Sequence, residues 1–350
     1  MIDVLRRRCV RMTVAVLLGS ALLSALPVND VAAQTPTRIR LTLDWRFEGQ
    51  LAMFMMAKQK GYYEREGLDV TVDAGAGSGS AINRVVSGSH EVGLADMSAL
   101  IEYVGNNPGP TRVQAVYLLY NRTPAIIQAL KRSGITKPQD LAGKRIAAPV
   151  FDSVRKAFPI YARAVGIDPK SITWMNVDPA IRETLVSRGD ADATTGFELN
   201  RLTLMARGVK EEDIVTFGYA EAGLKLYGNA VIAGSKLIEE NPKALAAFIR
   251  ASNRALLDTI ATPDEAIKSN KIFDGLIDEK VELEKLKITL RSIDTPFARS
   301  NGLGAINKLD LENQVDDVAA AFQLKTKPNA DLLFNSSFLP PQSERIVRRR

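Results

Sequence analysis

Val85-Val86-Ser87-Gly88-Ser89-His90-Glu91-Val92-Gly93-Leu94-Ala95-Asp96 and Leu185-Val186-Ser187-Arg188-Gly189-Asp190-Ala191-Asp192-Ala193-Thr194-Thr195-Gly196-Phe197-Glu198 read as one device used twice. Each stretch ends a helix with a glycine, the residue best able to take the left-handed cap conformation. Each continues with an acidic residue, a short strand of small and apolar residues, and a second acidic residue at the strand's carboxyl end. In open α/β sheets, ligands bind outside those ends. Two such units about a hundred residues apart predict two similar α/β lobes facing one another across a cleft. Taken singly, either stretch is equally consistent with an ordinary helix–strand turn.

The elements around these units fit the same plan. Ile39, Leu41 and Leu43 alternate with polar Arg40 and Thr42, which predicts a first strand over 39–43. A helix over 50–60, a strand over 68–72, a helix over 81–87 and a strand over 92–95 follow. Residues 113–120 and 125–130 are apolar strands separated by Asn121-Arg122-Thr123-Pro124, read as the first crossing between lobes. The second lobe continues with a strand over 145–148, a helix over 154–165, a strand over 173–177 and a helix over 179–188. An apolar strand over 227–233 is the crossing back. Helical periodicity dominates over 243–260, 263–273, 281–290 and 310–322, and these segments are expected to pack on the first lobe. Strands alternating with helices predict mostly parallel sheets.

The 350 residues suffice for two domains of ordinary size, and 46% hydrophobic with 25% charged residues is normal for a globular chain. Arg6, Arg7, Arg8 and Arg11, a charge-free apolar run over 13–26, and Val31-Ala32-Ala33 predict a secretory signal peptide over 1–33, cleaved before Gln34. The alternative is a membrane anchor, but the run is shorter than the roughly 20 residues a span requires. Arg7-Arg8 leaves a twin-arginine export signal open. Cys9 is the only cysteine and lies within that signal, which excludes a disulfide, a thiolate nucleophile and a cysteine metal site from the remainder. Periplasmic location without a lipid tether is expected. Removing four arginines and two aspartates with residues 1–33 takes the formal charge from +6 to +4. Part of that charge is a basic tail over 341–350, with Arg345 and Arg348 to Arg350, read as a solvated end. No aromatic residues interleave with it, so nucleic acid is not an expected partner.

Gly61-Tyr62-Tyr63-Glu64-Arg65-Glu66-Gly67-Leu68-Asp69-Val70, Asp140-Leu141-Ala142-Gly143-Lys144-Arg145-Ile146 and Gly88 to Gly93 occur in an order and spacing that resemble a known family. They are similar to segments of the periplasmic solute-binding proteins of the nitrate/sulfonate/taurine and thiamine-pyrimidine class. Glu91 stands where that family has an aspartate. The resemblance implies the type II periplasmic binding protein fold: two α/β lobes, a ligand cleft and two chain crossings. It would divide the chain into residues 38–122 with 228–340 as one lobe and 123–227 as the other. It also implies a monomer that hands a small molecule to the membrane permease and ATPase of an ABC importer. No Walker A loop is present, so the energy would come from that partner.

Candidate ligand residues fall at strand ends. Asp44, Trp45, Arg46, Phe47 and Glu48 follow the first strand, where an aromatic can stack on a planar ligand and a carboxylate can accept from ring or amino N–H groups. Trp45 could equally sit in the core, and Glu48 could complement a helix dipole. The loop from Gly75 through Gly77, Ser78, Gly79 and Ser80 opens a helix and reads either as an anion cradle, where the family places ligand contacts, or as a tight turn. Asp96, Met97 and Ser98 end the third strand, with Asp96 either a ligand group or a helix cap. Phe151, Asp152 and Ser153 precede a helix, Asp152 as its cap and Ser153 as a donor. Asp178, Phe197, Glu198 and Tyr227 complete the set.

Carboxylates outnumber cations among these candidates, which favours a planar amino-bearing heterocycle such as a thiamine pyrimidine precursor. An amine or a sulfonate remains open. No cofactor and no metal are expected. Relatives of this fold that synthesise the thiamine pyrimidine use cysteines this chain lacks. Its only histidine, His90, falls in a helix-to-strand turn on the side away from the cleft, so catalysis is not expected. A signalling receptor using the same cleft is the third class.

Overall fold

A computed structural model describes residues 35–110 and 112–347. The signal-peptide reading of 1–33 and the arginines at 348–350 lie outside the described residues. Residues 36 onward form one body.

The strands are β1 (Thr37–Thr42), β2 (Leu68–Asp73), β3 (Val92–Asp96), β4 (Val113–Leu118), β5 (Ala125–Leu130), β6 (Arg145–Ala148), β7 (Thr173–Asn176), β8 (Ala193–Phe197), β9 (Ile214–Gly218) and β10 (Asn229–Gly234). They form two five-stranded sheets, ordered β2-β1-β3-β10-β4 and β7-β6-β8-β5-β9. The chain therefore crosses between sheets after β4 and again after β9. The second order repeats the first, with β6, β7, β8, β5 and β9 in the places of β1, β2, β3, β10 and β4.

The expectation of mostly parallel sheets needs correction. β1 is parallel to β2 and β3, and β6 to β7 and β8. However, β10 runs antiparallel to both β3 and β4, and β5 antiparallel to both β8 and β9. The cause is the crossing itself, because each antiparallel strand is the one that enters from the other lobe. β9 is an edge strand whose half-exposed residues give little periodic signal, and the sequence reading passed over it.

The twin units owe their likeness to one clamp built in each lobe. Gly88 (φ 75°) and Gly189 (φ 87°) cap the helices Ser78–Val86 and Arg182–Arg188 in the left-handed region. From β1, Arg40 donates its backbone N–H (2.7 Å) and guanidinium to Glu91, and Nη2 also reaches the Gly88 carbonyl at 2.8 Å. From the equivalent strand β6, Arg145 donates its N–H to Asp192 at 2.8 Å, and its Nη2 reaches the Gly189 carbonyl at 3.3 Å. The acidic residue after each glycine thus pins a helix end to the first strand of its lobe, at the edge opposite the strands' carboxyl ends. Ile39 and Leu41, flanking Arg40, are fully buried, and each contributes about 1.5–3 kcal/mol by leaving water.

Two C-terminal helices depart from expectation. Pro242–Ala261 and Pro263–Phe273 pack on Ala52–Gln59 in the first lobe, as read from the sequence. Glu279–Ile293 packs both on the Gly49–Leu51 turn and on Asn200–Met205 of the second lobe, and Lys308–Phe322 packs on Met97–Asn106 and on Ser153–Val165, so each touches both lobes. Arg345, read as part of a solvated tail, is buried, with Nε donating to the Pro340 carbonyl at 2.7 Å and Nη1 to that of Leu303 at 2.6 Å.

Candidate functional site

Between the lobes, at the carboxyl ends of β1 and β8, lies a chamber holding about 430 Å³ of space free of protein atoms, part of it open to solvent. The first lobe lines it with Asp44, Trp45, Gln50, Leu51, Gly77 and Ser78, and the crossings with Tyr120 and Asn229. Asp152, Ser153, Val154, Arg182, Gly196, Phe197 and Asn200 complete it from the second lobe.

The aromatic walls are Trp45, Phe197 and Tyr120, the last two edge to face with centroids 6.2 Å apart. The Arg182 guanidinium lies 4.5 Å from the Trp45 ring centroid. Its charge is already answered, since Nη1 reaches Asp152 Oδ2 at 3.2 Å and Nε reaches Glu183 Oε1 at 2.8 Å, all three residues being buried. Asp152 also accepts the Arg155 N–H at 2.8 Å and so caps the Ser153–Val165 helix. Asp44 accepts from Asn229 Nδ2 at 2.6 Å. Three buried oxygens on the lining residues, Gln50 Oε1, Asn229 Oδ1 and Tyr120 OH, have no hydrogen-bond partner. A buried polar atom without a partner costs about 1–3 kcal/mol, so these atoms suit a ligand that satisfies them.

Of the residues singled out from sequence, Asp44, Trp45, Gly77, Ser78, Asp152, Ser153 and Phe197 line the chamber. The others stand elsewhere, for identifiable reasons. Arg46 and Glu48 pair with one another at 2.9 Å, and Glu48 is buried against Lys285. Phe47 packs on Phe273 with centroids 5.8 Å apart. In the glycine-serine loop, read either as an anion cradle or as a tight turn, four of the N–H groups are already engaged within the protein. Gly75 donates to Trp45 O (2.9 Å), Gly77 to Asp44 O (2.7 Å), Gly79 to Phe151 O (3.2 Å) and Ser80 to Gly77 O (3.0 Å). Gly79 and the half-exposed Phe151 border a separate surface hollow.

Asp96 accepts the Ser98 N–H at 2.8 Å as the cap of Met97–Asn106, and Met97 is wholly buried. Ser98 and Tyr227 are both tied to Gln314, whose Nε2 donates to Ser98 Oγ at 2.9 Å and whose Oε1 accepts the Tyr227 N–H at 3.0 Å. Asp178 is an exposed turn residue accepting the Ala180 N–H at 2.8 Å. Glu198 is exposed and borders another hollow. His90, read as lying away from the cleft, precedes β3 with Nε2 3.0 Å from Asp73.

Sequence reasoning missed Gln50, Tyr120, Arg182 and Asn229. One of them was readable: Asn229 is a lone polar residue opening the apolar run of β10. Arg182 carried no such signal, since an arginine near a helix start is unremarkable until Trp45 is seen opposite it.

Residues 48–266 match the family described as NMT1/THI5 like. The chain belongs to the NMT1/THI5-like family. Relatives include a riboflavin-binding protein, RibY, of Chloroflexus aurantiacus, 24% identical over 93% of this chain and 95% of that one. A formylaminopyrimidine-binding protein of Halalkalibacterium halodurans is 26% identical over 79% of this chain and 83% of its own length. A 4-amino-5-hydroxymethyl-2-methylpyrimidine phosphate synthase of Legionella pneumophila is 25% identical over 66% of this chain and 72% of that one. The fold is that of the periplasmic binding proteins. The alkanesulfonate-binding protein SsuA of Xanthomonas axonopodis, solved with MOPS bound, superposes with a TM-score of 0.68 at 16% identity, over 86% of this chain and 99% of that one. Among the described residues no helix is long and apolar enough to cross a membrane, and no cluster of three His, Cys, Asp or Glu could hold a metal.

In this NMT1/THI5-like chain, burial pushes both Asp44 and Asp96 from the ordinary 3.8 up to about 7, and Asp152 also rises. The unfolded chain ionises Asp44 and Asp96 near pH 4 and the folded chain only near pH 7. Their contribution to stability is therefore full below pH 4 and lost as pH rises to 7, opposite to ordinary acid unfolding. Asp96→Asn keeps a helix cap of equal quality and removes one such titration. The variant is expected to match the wild type near pH 4 and to exceed it by about 4 kcal/mol at pH 8, read as urea midpoints across that range. Parallel pH profiles for the two proteins would refute the assignment.

Proposed function

We propose that this chain is the periplasmic receptor of an ABC importer, and that it carries a planar, amino-bearing heterocycle, foremost a thiamine pyrimidine precursor, to a membrane permease and its ATPase. One observation carries the reading: aromatic walls enclose hydrogen-bond acceptors with no free cation. Asp44 sits beside the unpartnered oxygens of Gln50 and Asn229, and Arg182 is neutralised by Asp152 and Glu183. Such a chamber asks for ligand N–H donors on a flat ring. A sulfonate or nitrate would meet the carboxyl groups of Asp44 and Asp152 and no uncommitted positive charge. The relative named for formylaminopyrimidine supports the same class.

Ligand bridging Trp45 and Phe197 would favour the closed arrangement of the lobes, hinged at the two crossings around 120–125 and 227–230. We read the chain as a receptor rather than an enzyme, although relatives are named as synthases. Its single histidine is engaged with Asp73 before β3, and neither a histidine nor a cysteine is among the residues lining the chamber. Calorimetric titration with 4-amino-5-hydroxymethyl-2-methylpyrimidine, formylaminopyrimidine, riboflavin and taurine tests the reading. Binding of the two pyrimidines at micromolar concentration, and not of taurine, is expected. Taurine alone giving heat would overturn it, and riboflavin alone would move the assignment to a larger ring system.

A further inference from the structure

Gln50 lines the chamber with 6% of its surface exposed, and its Oε1 has no partner. The other end of its amide, Nε2, lies 3.4 Å from Glu48 Oε2. An ionised carboxylate only accepts hydrogen bonds, so it selects the NH2 end of the amide and leaves the carbonyl facing the chamber. Glu48 is itself fixed by Lys285 Nζ at 3.2 Å and Arg46 Nη2 at 2.9 Å. Lys285 is shared with Glu282 at 2.7 Å, and Glu282 Oε2 takes the Gly49 N–H at 2.6 Å. Glu48, Glu282 and Lys285 are all buried, and the charges of Lys285 and Arg46 hold the Glu48 carboxyl below its usual range despite burial. On β10, Asn229 Nδ2 lies 2.6 Å from Asp44 Oδ2, and Asn229 Oδ1 is unpartnered.

We propose that Gln50 is a specificity-determining residue whose carbonyl oxygen accepts an N–H of the ligand's exocyclic amino group, and that Glu48, locked by Lys285 and Glu282, is the positioning residue that fixes the amide's orientation. The inference rests on the pyrimidine reading above and deepens it. It also places part of ligand selection outside residues 48–266, on the Glu279–Ile293 helix, so chains alike over the matched stretch can differ in what they select.

The test compares 4-amino-5-hydroxymethyl-2-methylpyrimidine with its analogue lacking the 4-amino group, by calorimetry, on wild type, Gln50→Leu, Gln50→Met and Glu48→Gln. Wild type is expected to favour the amino compound by about 10-fold or more. Both Gln50 variants are expected to bind the two compounds within about 3-fold of each other, Gln50→Met serving where leucine disturbs folding. Glu48→Gln, which lets the neighbouring amide turn either way, should fall between. The ratio between probes is a readout that a merely structural loss of stability does not move. Full retention of the ratio in the Gln50 variants overturns the inference while leaving the pyrimidine reading in place. Failure of wild type to bind either compound removes the pyrimidine reading and this inference together.

Discussion

Gly77→Ala is expected to give a folded protein that binds its ligand at least about 100-fold more weakly, a loss of about 2.7 kcal/mol. Gly77 has φ 122°, a region that residues with a Cβ rarely enter, and an added Cβ would stand 2.3 Å from the Phe151 carbonyl oxygen and 2.5 Å from its carbon. Phe151 belongs to the second lobe, and its carbonyl accepts the Gly79 N–H at 3.2 Å across the cleft. The obstruction is backbone against backbone, so no side-chain rotation relieves it. Strain at Gly77 itself costs about 1–3 kcal/mol in any state, but the clash exists only where the lobes meet. The effect therefore falls on closure rather than on folding. Gly79→Ala is the control. Its Cβ would meet the movable ends of Lys156 and Phe151 at 3.2 Å, and binding should fall by less than about 3-fold, under 1 kcal/mol. Calorimetry with the aminopyrimidine, with small-angle scattering to follow closure, reads both variants. Equal affinity of Gly77→Ala and wild type would show that binding does not bring Gly77 and Phe151 together.

The second large effect is expected at Lys285. Its ammonium, 4% exposed, is the cation between Glu48 and Glu282. Lys285→Ala would leave two carboxylates in the interior with only Arg46 in reach of one of them. Breaking a buried pair by removing one partner costs about 3–5 kcal/mol, a large share of the roughly 5–15 kcal/mol that holds a typical domain together. The urea midpoint should drop accordingly, and the deficit should shrink at acid pH, where protonation neutralises the stranded groups. Glu282, whose carboxyl burial already raises, would be the first to take a proton. The triple variant Glu48→Gln, Lys285→Met, Glu282→Gln is expected to recover most of the loss, because a buried ionic cluster replaced as a whole is often close to neutral. A single Lys285→Ala variant as stable as wild type would mean that the cluster is hydrated in solution.

The sequence made the lobes legible because each is written in a local code. Glycine caps at 88 and 189 and alternation at 39–43 act within a few residues of themselves. Strand direction was not legible, since β5 and β10 are ordinary apolar runs whose antiparallel placement is decided by chain crossings a hundred residues apart. The site divided in the same way. Asp44, Trp45 and Phe197 were found because they end strands, and strand ends face the cleft. Glu48 and Ser98 also follow strand ends, yet Lys285 and Gln314, more than two hundred residues later, turn them into supports. Only the folded structure reveals that pairing. The same applies to the acidic residues at 91 and 192, whose partners Arg40 and Arg145 each sit about fifty residues earlier.

The Lys308–Phe322 helix has a mechanical consequence. A body attached to another by two strands of chain can swing freely about the line through them. Here a third member lies across the gap, with Leu311, Val315 and Val318 buried and Gln314 gripping Tyr227, at the second strand of chain itself. Its grip is close to the proposed pivot, so a hinging of the lobes would slide the rest of the helix over its two seats. In the proposed hinge motion this helix is a third tie between the lobes, one that resists splay.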